Sequence, residues 1–274
     1  HVLSFDAFAR CWLKEHTLLD AIASCLDEDK RPAFERLAQA WRERDLAVGR
    51  CGLFSGKVGE FRGKRQLAHP DYLLFGPDGM LFVTTGDSGV PELAQQVDSL
   101  AGKILRMAPD GSVPPDNPFP GSLVWSLGHR NVQGLAFDDE GRLWSTEFGS
   151  SAYDEVNLIE PGGNYGWPLV EGVGGRPDLV DPQVTWPTSE ASPSGLAWSA
   201  DVLYMGALRG ERLWEIPVED GSARRPTATL QGELGRIRTV AVAPDGALWL
   251  TTCNTDGRGD PRPGEDRVVR LTID

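Results

Sequence analysis

The stretch FGPDGMLFVTTGD, residues 75–87, places a proline, an aspartate and a glycine between two apolar runs. The same pattern returns in FDDEGRLWSTEFG (137–149) and VAPDGALWLTTCN (242–254), and without the glycine in WSADVLYMGALRG (198–210). A tight turn between two alternating apolar runs is typical of a β-hairpin. One hairpin that recurs along a chain predicts an all-β fold made of β-propeller blades, rather than a β-sandwich, which does not need the same sequence each time.

The composition is that of a globular protein, with 40% hydrophobic and 24% charged residues among 274 positions. Lysine and arginine number 27 against 40 aspartate and glutamate residues, which gives a formal charge of −13. A charge this negative argues against binding to nucleic acid or to anionic lipid. No apolar run reaches the length of about 18 residues that a membrane-spanning helix needs.

The N-terminal part of the chain has a different character. From Phe5 to about Asp45 apolar residues recur at intervals of three and four, which predicts a helical hairpin. Residues 49–65 are rich in glycine and basic residues without a clear period, so we expect a loop there. The predicted organisation is a divergent helical and loop segment over residues 1–66 and a β-propeller domain over residues 67–274. Four cysteines without a CxxC pair argue against a disulfide scaffold, and buried free thiols are favoured over a single bridge such as Cys11–Cys25, which would need an oxidising compartment.

A loop rich in polar residues separates two apolar strands within WSLGHRNVQGLAF, residues 125–137. Its polar side chains are those of His129, Arg130, Asn131 and Gln133. In a propeller such a loop can face the central channel, where Arg130 could make a bidentate contact to a carboxylate or a carbonyl group. A network that only satisfies the backbone groups of the loop is the equally weighted alternative.

Two further sets of charged residues are candidates for ligand binding. Asp154 and Glu155 stand beside a glycine-rich loop and offer the hard oxygen ligands that calcium prefers, although acidic loop residues are usually solvated. Arg209 follows an apolar strand, and Arg236 and Arg238 stand two positions apart in GRIRTV, a spacing that puts strand side chains on one face. Two adjacent guanidinium groups repel unless an anion lies between them. A polyanionic ligand is one explanation, and solvent-exposed strand charges are the other.

A histidine and an aspartate flank the first hairpin. His69 precedes Asp87, which ends the run TTGD. A histidine whose proton is accepted by a carboxylate is an oriented general base. One such pair in a chain of this size carries little weight by itself.

The stretch from 75 to 270 resembles the soluble PQQ-dependent sugar dehydrogenases, the aldose sugar dehydrogenase and soluble glucose dehydrogenase family. The matching runs, in the family's order, are FGPDGMLFVTTGD, AQQVDSLAGKILRMAPDGSVPPDNPF, VWSLGHRNVQGLAF, STEFG, DEVNLI, GGNYGWP, SPSGLAW and GRIRTVAVAPDGALW. The resemblance implies a six-bladed propeller that oxidises the anomeric hydroxyl of sugars and passes a hydride to pyrroloquinoline quinone (PQQ) held by calcium.

The resemblance also implies an external electron acceptor and an extracytoplasmic location, periplasmic or secreted. No leader-like pattern follows His1, which fits either a leader already removed or a chain that is not exported.

Catalytic and cofactor-binding roles follow from the resemblance, position by position. It implies that His69, at the cofactor, is the base that takes the proton of the sugar hydroxyl, and that Asp87 orients it. Arg130 and Asn131 would contact the quinone edge, where Arg130 would stabilise the negative charge that develops during hydride transfer. The carboxylates of the cofactor would be paired by three arginines, namely Arg209, Arg236 and Arg238.

Metal ligands are implied in the same way. The backbone carbonyls of Gly149 and Ser150 would ligate the cofactor calcium. Asp154 and Glu155 would lie at a second, structural calcium. The hard chemistry then belongs to the quinone, and the protein supplies orientation and charge.

The chain departs from the family pattern at two places. The segment HPDYLLFGPDG, which starts at His69, is one residue shorter than its counterpart in the family and carries Pro70 in a glycine-rich position. The sequence of residues 1–66 predicts helices and a loop, where the family has the strands of its first blades. Two alternatives therefore stay open: a non-catalytic propeller remnant or binding scaffold, and, less favoured because of the arginines, a calcium-dependent lactonase-type propeller hydrolase.

Overall fold

The structure is a computed structural model that describes residues 57–61, 64–68, 73–243, 245–260 and 266–273. The chain divides into two compact units, one formed by His1–Pro70 with Pro109–Ser112 and the other by Asp71–Ala108 with Val113–Asp274. The domain boundary after residue 66 stays a prediction, and the helical hairpin predicted from Phe5 to Asp45 lies outside the described residues.

The described part of the first unit contains a β-hairpin of strands β1 (Lys57–Phe61) and β2 (Lys64–Ala68). The loop predicted over residues 49–65 is therefore wrong for this part of the chain. Glycine and basic residues do not prevent a strand, because the ladder hydrogen bonds come from the backbone.

The second unit contains four antiparallel sheets, numbered I to IV, each built from strands that follow one another in the sequence. Sheet I comprises β3 (Leu73–Phe75), β4 (Leu81–Thr85), β5 (Lys103–Met107) and β6 (Val124–Leu127). Sheet II comprises β7 (Val132–Phe137), β8 (Leu143–Glu147), β9 (Tyr153–Ile159) and β10 (Val184–Pro187). Sheet III comprises β11 (Pro193–Ser199), β12 (Val202–Ala207), β13 (Arg212–Glu219), β14 (Ser222–Ala223) and β15 (Thr227–Thr229). Sheet IV comprises β16 (Ile237–Val242), β17 (Leu248–Thr252) and β18 (Val268–Leu271). A short 3₁₀ helix, Pro91–Gln95, lies between β4 and β5.

Each sheet begins with one of the four predicted hairpins, which are confirmed as β3–β4, β7–β8, β11–β12 and β16–β17. An antiparallel meander of this kind is the arrangement of a propeller blade. The all-β prediction is thus confirmed for the described part of the chain. The strands described there form four blade-like sheets, and they do not show a propeller closed through six blades.

The hairpin turn closes in the same way in sheets I, II and IV. In sheet II the N–H of Asp138 donates to the carbonyl of Arg142 at 3.1 Å, and the N–H of Gly141 donates to the carbonyl of Asp138 at 3.0 Å. The glycine of the turn has a positive φ in all three sheets, 77° at Gly79, 77° at Gly141 and 84° at Gly246. A left-handed backbone favours glycine, which explains why the repeat carries this residue.

In sheet III a two-residue turn replaces this loop, with φ of 49° at Ala200 and 61° at Asp201. Two consecutive positive φ values are those of a type I′ hairpin turn. The weaker repeat therefore lacks the glycine because its turn is shorter.

The sheets pack face to face through apolar side chains and are linked by hydroxyl groups. The face of sheet II that carries Leu135 and Leu143 packs against Phe82 of sheet I, and the opposite face packs against sheet III. Thr146 Oγ1 donates to the carbonyl of Ser194 at 2.8 Å, and Ser194 Oγ donates to the carbonyl of Ile237 at 2.7 Å. Strand β8 of sheet II is thus linked to the first strand of sheet III, and that strand to the first strand of sheet IV. This stacking brings the loops that follow the strands close together.

One of the four cysteines lies in the described residues. Cys253 is a half-buried free thiol, and burial raises its pKa.

Asp138 anchors the turn of sheet II with a fully buried side chain. Its carboxylate accepts Trp144 Nε1 at 2.9 Å and Arg142 Nε at 2.6 Å. Burial would raise the pKa of Asp138, but the hydrogen bonds from Trp144 and Arg142 hold the pKa below its ordinary value.

We expect Asp138→Ala to lower the free energy of unfolding by about 2–4 kcal/mol at pH 7, because Trp144 and Arg142 lose a buried acceptor. Since the folded pKa is depressed, this stabilisation is present above the unfolded pKa and is lost as the pH falls through the folded pKa. Urea unfolding of the parent and the variant at neutral and acidic pH measures both effects. The exposed neighbour variant Asp139→Ala is the control; equal losses from the two variants would contradict the role of Asp138.

Candidate functional site

The polar loop between β6 and β7 is held by the carboxylate of Glu147, the last residue of β8. Its Oε1 accepts the backbone N–H of Arg130 and, at 3.1 Å, the backbone N–H of Asn131. Its Oε2 lies 2.9 Å from Nδ1 of His129, so this nitrogen carries the proton that the carboxylate accepts. The loop that presents Arg130 and Asn131 is therefore fixed through its backbone. Beyond it, Gln133 Nε2 donates to Asn131 Oδ1 at 2.7 Å.

His129 braces this loop from inside the protein. Its Nε2 accepts the hydroxyl proton of Ser126 at 2.8 Å, and its ring stacks on Tyr165 with the ring centres 4.8 Å apart. Ser126, His129 and Glu147 follow the hydrogen-bond order of a hydrolytic triad. However, Ser126 and His129 are 0% exposed and Glu147 is 4% exposed, so no substrate reaches the serine. The hydrogen bonds among Ser126, His129 and Glu147 therefore hold the polar loop in place. For His129 this is the alternative stated above, in which the polar residues satisfy groups of the loop and do not bind a ligand.

Arg130 joins three separate segments of the chain. Its Nη1 donates to the carbonyl of Gly149 at 2.8 Å, and its guanidinium carbon lies 5.7 Å from the ring centre of Trp167. Trp167 Nε1 donates to Oδ2 of Asp87 at 2.9 Å, and the N–H of Asp87 donates to the carbonyl of Arg130 at 3.0 Å. The structure therefore brings Asp87, Arg130 and Gly149 into one network, with Trp167 between them.

The predicted partner of Asp87, His69, lies outside the described residues, so their pairing stays a prediction. Asp87 is half-buried, and its Oδ1 accepts the N–H of Gly89 at 2.9 Å while Oδ2 accepts Trp167 Nε1. Each carboxylate oxygen can accept a further donor. Asp87 is thus fixed in position and still able to accept a proton donor.

The segment after β8, which carries the predicted calcium ligands Gly149 and Ser150, wraps around the carboxylate of Glu171. Burial would raise the pKa of Glu171, but backbone N–H donors hold the pKa below its ordinary value. Gly149 is required here because a Cβ on it would lie 1.8 Å from the carbonyl oxygen of Tyr153. The donors to Oε1 of Glu171 are the backbone N–H groups of Ser151 at 2.9 Å, Ala152 at 2.7 Å and Tyr153 at 3.0 Å.

Asp154 and Glu155 have separate surroundings, because consecutive residues of β9 point to opposite faces of sheet II. Asp154 is buried and accepts the N–H of Gly149 at 2.9 Å and that of Ser192 in the next blade at 2.6 Å. Burial raises its pKa in spite of these donors. Glu155 is buried on the other face, where it accepts the N–H of Gly172 at 2.8 Å. The structure does not bring the two carboxylates together as ligands of one ion.

Buried oxygen atoms surround Glu155 on its face of sheet II. The register sets Glu155 opposite Glu147 and Asn157 opposite Ser145. Burial and the nearby Glu147 carboxylate raise the pKa of Glu155 to about 7. Asn157 Oδ1 and Ser145 Oγ are buried and have no hydrogen-bond partner in the described part of the chain. Asn157 turns its amide nitrogen to the carboxylate, since Nδ2 donates to Oε2 of Glu155 at 3.2 Å. Nearby oxygen atoms without a partner match the hard-ligand preference of calcium, and the structural ion predicted at Asp154 and Glu155 stays a prediction.

Among the residues that the structure describes, no group of three or more histidine, cysteine, aspartate and glutamate side chains is arranged to hold a metal ion.

The three predicted cofactor arginines differ in their surroundings. Arg236 is 7% exposed, its Nη2 pairs with Asp256 Oδ2 at 3.0 Å, and its buried Nε has no hydrogen-bond partner among the described residues. Arg238 is half-buried and Arg209 is exposed, and within the described ranges neither makes an ion pair or hydrogen bond. Two unpaired guanidinium groups and one unpartnered buried donor fit a ligand with several carboxylates.

The argument that Arg236 and Arg238 share one strand face is wrong. β16 begins at Ile237, and its register shifts between Ile237 and Thr239, so residue 238 lies in a bulge that interrupts the alternation. Solvent-exposed strand charge is also wrong as an explanation for Arg236, which is buried beside the carboxylate of Asp256.

Sequence reasoning missed four residues that organise the site, namely Glu147, Trp167, Glu171 and Asn254. Glu147 and Trp167 stand in the runs STEFG and GGNYGWP, so a polar residue ending a buried strand and a tryptophan beside glycine and proline were the available signals. Asn254 is 2% exposed and accepts the N–H of Arg236 on Oδ1 at 2.7 Å. Asn254 therefore holds the backbone of Arg236, directly before β16, as Glu147 holds the polar loop between β6 and β7.

Comparisons with known proteins agree with this geometry. The sequence profile of the glucose / sorbosone dehydrogenase family matches residues 58–260. Aldose sugar dehydrogenase YliI of Escherichia coli is 30% identical over 211 residues, which are 68% of this chain and 57% of that protein. Quinoprotein glucose dehydrogenase B of Acinetobacter calcoaceticus is 43% identical over 122 residues, 36% of this chain and 26% of that protein.

A solved structure is similar over more of the chain. The PQQ-bound form of aldose sugar dehydrogenase from Streptomyces coelicolor is 49% identical with a TM-score of 0.72, and the match covers 81% of this chain and 71% of that one. The chain spans about half the length, or less, of the curated relatives named above. The resemblance found in the sequence is confirmed by these matches: the chain belongs to the glucose and sorbosone dehydrogenase family, that of the soluble PQQ-dependent sugar dehydrogenases.

Proposed function

We propose that this protein oxidises aldose sugars at the anomeric hydroxyl to the lactone, with PQQ and calcium as cofactors. The observation that supports the proposal most directly is the network of Asp87, Trp167, Arg130 and Gly149, which sets a carboxylate, a guanidinium and a backbone carbonyl side by side. PQQ, when bound, supplies the acceptor for the hydride that leaves the anomeric carbon.

Arg130 and Asn131 would contact the edge of the quinone. A cation that is already in place stabilises charge that develops in the transition state without further reorganisation. Arg130 meets this condition because Glu147 holds its backbone while Trp167 and the carbonyl of Gly149 hold its guanidinium. Its role would be to stabilise the negative charge that forms as the hydride is transferred.

The cofactor's carboxylates would be bound by Arg209, Arg236 and Arg238. Asn254 holds the backbone of Arg236, whose Nε has no hydrogen-bond partner in the part of the chain that the structure describes, and Asp256 occupies one side of its guanidinium. Arg238 has no competing carboxylate in the described chain, so its whole guanidinium is available. Charge-assisted hydrogen bonds from these groups supply affinity and orientation.

The general base would be His69, with Asp87 as its acceptor. An imidazole whose proton is accepted by a carboxylate keeps the other ring nitrogen free to take the proton of the sugar hydroxyl. Removal of that proton favours departure of the hydride from the same carbon, and the carbonyl of the lactone forms.

Calcium would be bound in two places. The carbonyls of Gly149 and Ser150 would ligate the ion at the cofactor. Glu155 would ligate the structural ion together with Asn157, whose Nδ2 donates to Oε2 of Glu155 at 3.2 Å and whose Oδ1 has no hydrogen-bond partner in the described chain. Asp154 braces the loop of Gly149 by accepting its N–H at 2.9 Å.

An external electron acceptor and an extracytoplasmic location, periplasmic or secreted, belong to the same proposal. Within the described residues no helix combines the length and the apolar character needed to cross a membrane.

The test of the function is a titration of the purified chain with PQQ in the presence and absence of calcium, followed by its absorbance. Turnover of aldoses with an artificial electron acceptor is then measured on the loaded protein. We expect saturable, calcium-dependent binding and sugar oxidation. A chain that binds PQQ without oxidising any aldose supports the non-catalytic scaffold, and a chain that does not bind it excludes the proposed function.

We expect Arg238→Ala to weaken PQQ binding by about 2 kcal/mol or more, the scale of lost charge-assisted hydrogen bonds, with little change in stability. Arg238 is the better test residue, because Arg236 also pairs with Asp256 and its replacement would change stability as well as PQQ binding. The control is Arg225→Ala, at an exposed arginine between β14 and β15. Equal PQQ affinities for the two variants would remove Arg238 from the cofactor site.

A further inference from the structure

The loop of residues 149–153 has two sides, and Glu171 fills one of them. Three consecutive backbone N–H groups converge on its Oε1 at 2.7–3.0 Å, and the N–H of Ser150 acts on the same carboxylate. Successive N–H groups that converge in this way form an anion-binding concavity of the kind known as a nest. Here the anion is a side chain of the protein itself, 18 to 21 residues further along the chain.

The planarity of the peptide bond decides where the carbonyls of this loop point. In a trans peptide the C=O of one residue and the N–H of the next point in opposite directions. The N–H of Ser151 points at Glu171, so the carbonyl of Ser150 points away from it.

The carbonyl of Gly149 has a cationic partner of its own. Its oxygen accepts Arg130 Nη1 at 2.8 Å. The N–H of Gly149 is held by Asp154 at 2.9 Å, and a side chain at this position is excluded because a Cβ would collide with Tyr153. The loop therefore presents N–H groups to an anion on one side and C=O groups to a cation on the other.

We infer that Glu171 is a positioning residue for cation binding: by collecting the N–H groups of the loop, it turns the carbonyls of Gly149 and Ser150 outward as neighbouring ligands for calcium. The inference rests on the proposed function, which assigns the cofactor calcium to these two carbonyls. Hydrogen bonds in a chain polarise one another, so a carboxylate on the N–H side also makes the carbonyl oxygens better ligands.

The experiment compares Glu171→Ala, Glu171→Gln and a control, Asp181→Ala. Asp181 accepts the N–H groups of Gly174 and Gly175 in the same connection between β9 and β10, but it does not contact residues 149–153. Calcium is titrated into each variant in the presence of PQQ and followed by the absorbance of the quinone. Hydrogen exchange of residues 149–154 is measured by mass spectrometry without either cofactor.

For Glu171→Ala we expect a calcium affinity at least about tenfold weaker than that of the parent, together with at least about tenfold faster exchange of the loop amides. Glu171→Gln keeps one acceptor oxygen and the shape of the side chain, so both effects should be partly restored. Asp181→Ala should match the parent in both measurements. If the alanine variant does not fold, the glutamine variant decides by the same two measurements.

The outcomes separate the inference from the function on which it rests. If the parent binds calcium and Glu171→Ala binds it equally well, the inference is overturned and the proposed function stands. If exchange of the loop amides is unchanged in Glu171→Ala, Glu171 does not order the loop and the inference is overturned as well. If the parent binds no calcium with PQQ, the proposed function fails, and a positioning role toward calcium fails with it.

Discussion

Replacing Glu147 by alanine is expected to lower the free energy of unfolding by about 3–5 kcal/mol, the range for breaking a buried charged or hydrogen-bonded pair. The substitution leaves the backbone N–H groups of Arg130 and Asn131 and Nδ1 of His129 without their acceptor. His129 is fully buried and the two backbone donors are partly buried, so the unsatisfied groups lose much of their hydration. Because the same loop presents Arg130, PQQ affinity should fall as well, even under conditions in which the variant is folded.

Glu147→Gln separates the charge of this side chain from its shape. The amide oxygen of glutamine can still accept the N–H groups of Arg130 and Asn131, while its NH₂ group faces His129. His129 can respond by changing tautomer, because Nδ1 then accepts from the amide and Nε2–H donates to Ser126. We therefore expect a loss of about 1–2 kcal/mol for Glu147→Gln, smaller than for alanine.

Urea unfolding and PQQ titration of the two variants measure these effects, with Glu160→Ala as the control. Glu160 is an exposed acidic residue directly after β9, and its side chain makes no hydrogen bond or ion pair with a described residue. If Glu147→Ala unfolds with the same free energy as Glu160→Ala, the loop does not depend on this carboxylate.

The features of the fold that could be predicted from the sequence are those that depend on neighbouring residues. The turn glycines at 79, 141 and 246 indicate hairpins in the sequence, because a positive φ at these positions disfavours most other residues. The apolar runs on each side alternate because one face of each strand is buried. The hairpin β1–β2 was missed for the complementary reason: its pairing uses backbone groups, and a mixture of glycine and basic side chains gives no alternation that marks it.

The contacts that build the site depend instead on how the sheets stack. Trp167 donates to Asp87 across 80 positions, and Glu147 holds a loop 16 and 17 positions earlier, so neither partner can be read from the local pattern. The separation of Asp154 from Glu155 could have been predicted, since alternation along DEVNLI puts them on opposite faces once the run is taken as a strand. The bulge at residue 238 could not, because a register shift depends on the partner strand.

Replacing His69 by glutamine is expected to lower kcat by about 10²–10⁴, the contribution of a positioned general base. PQQ affinity should change little, because the charge partners of the cofactor's carboxylates in the proposed site are arginines. Glutamine keeps a polar side chain of similar reach but takes no proton at neutral pH. Activity of the parent should rise with pH as the imidazole loses its proton, and this rise should be absent from the residual activity of the variant.

Asp87 provides the second half of this test, because it would act through His69. If it only orients the imidazole, the double variant His69→Gln/Asp87→Asn should lose no more activity than His69→Gln alone. Trp167→Phe is the matched control: it removes the N–H that Asp87 Oδ2 accepts at 2.9 Å but keeps an aromatic ring beside Arg130. It should lower activity much less than either substitution in the pair. If His69→Gln oxidises sugars as fast as the parent, another group takes the proton of the sugar hydroxyl. If the parent itself shows no turnover, the chain is a non-catalytic scaffold whose arginines and carbonyls bind a ligand without oxidising a sugar.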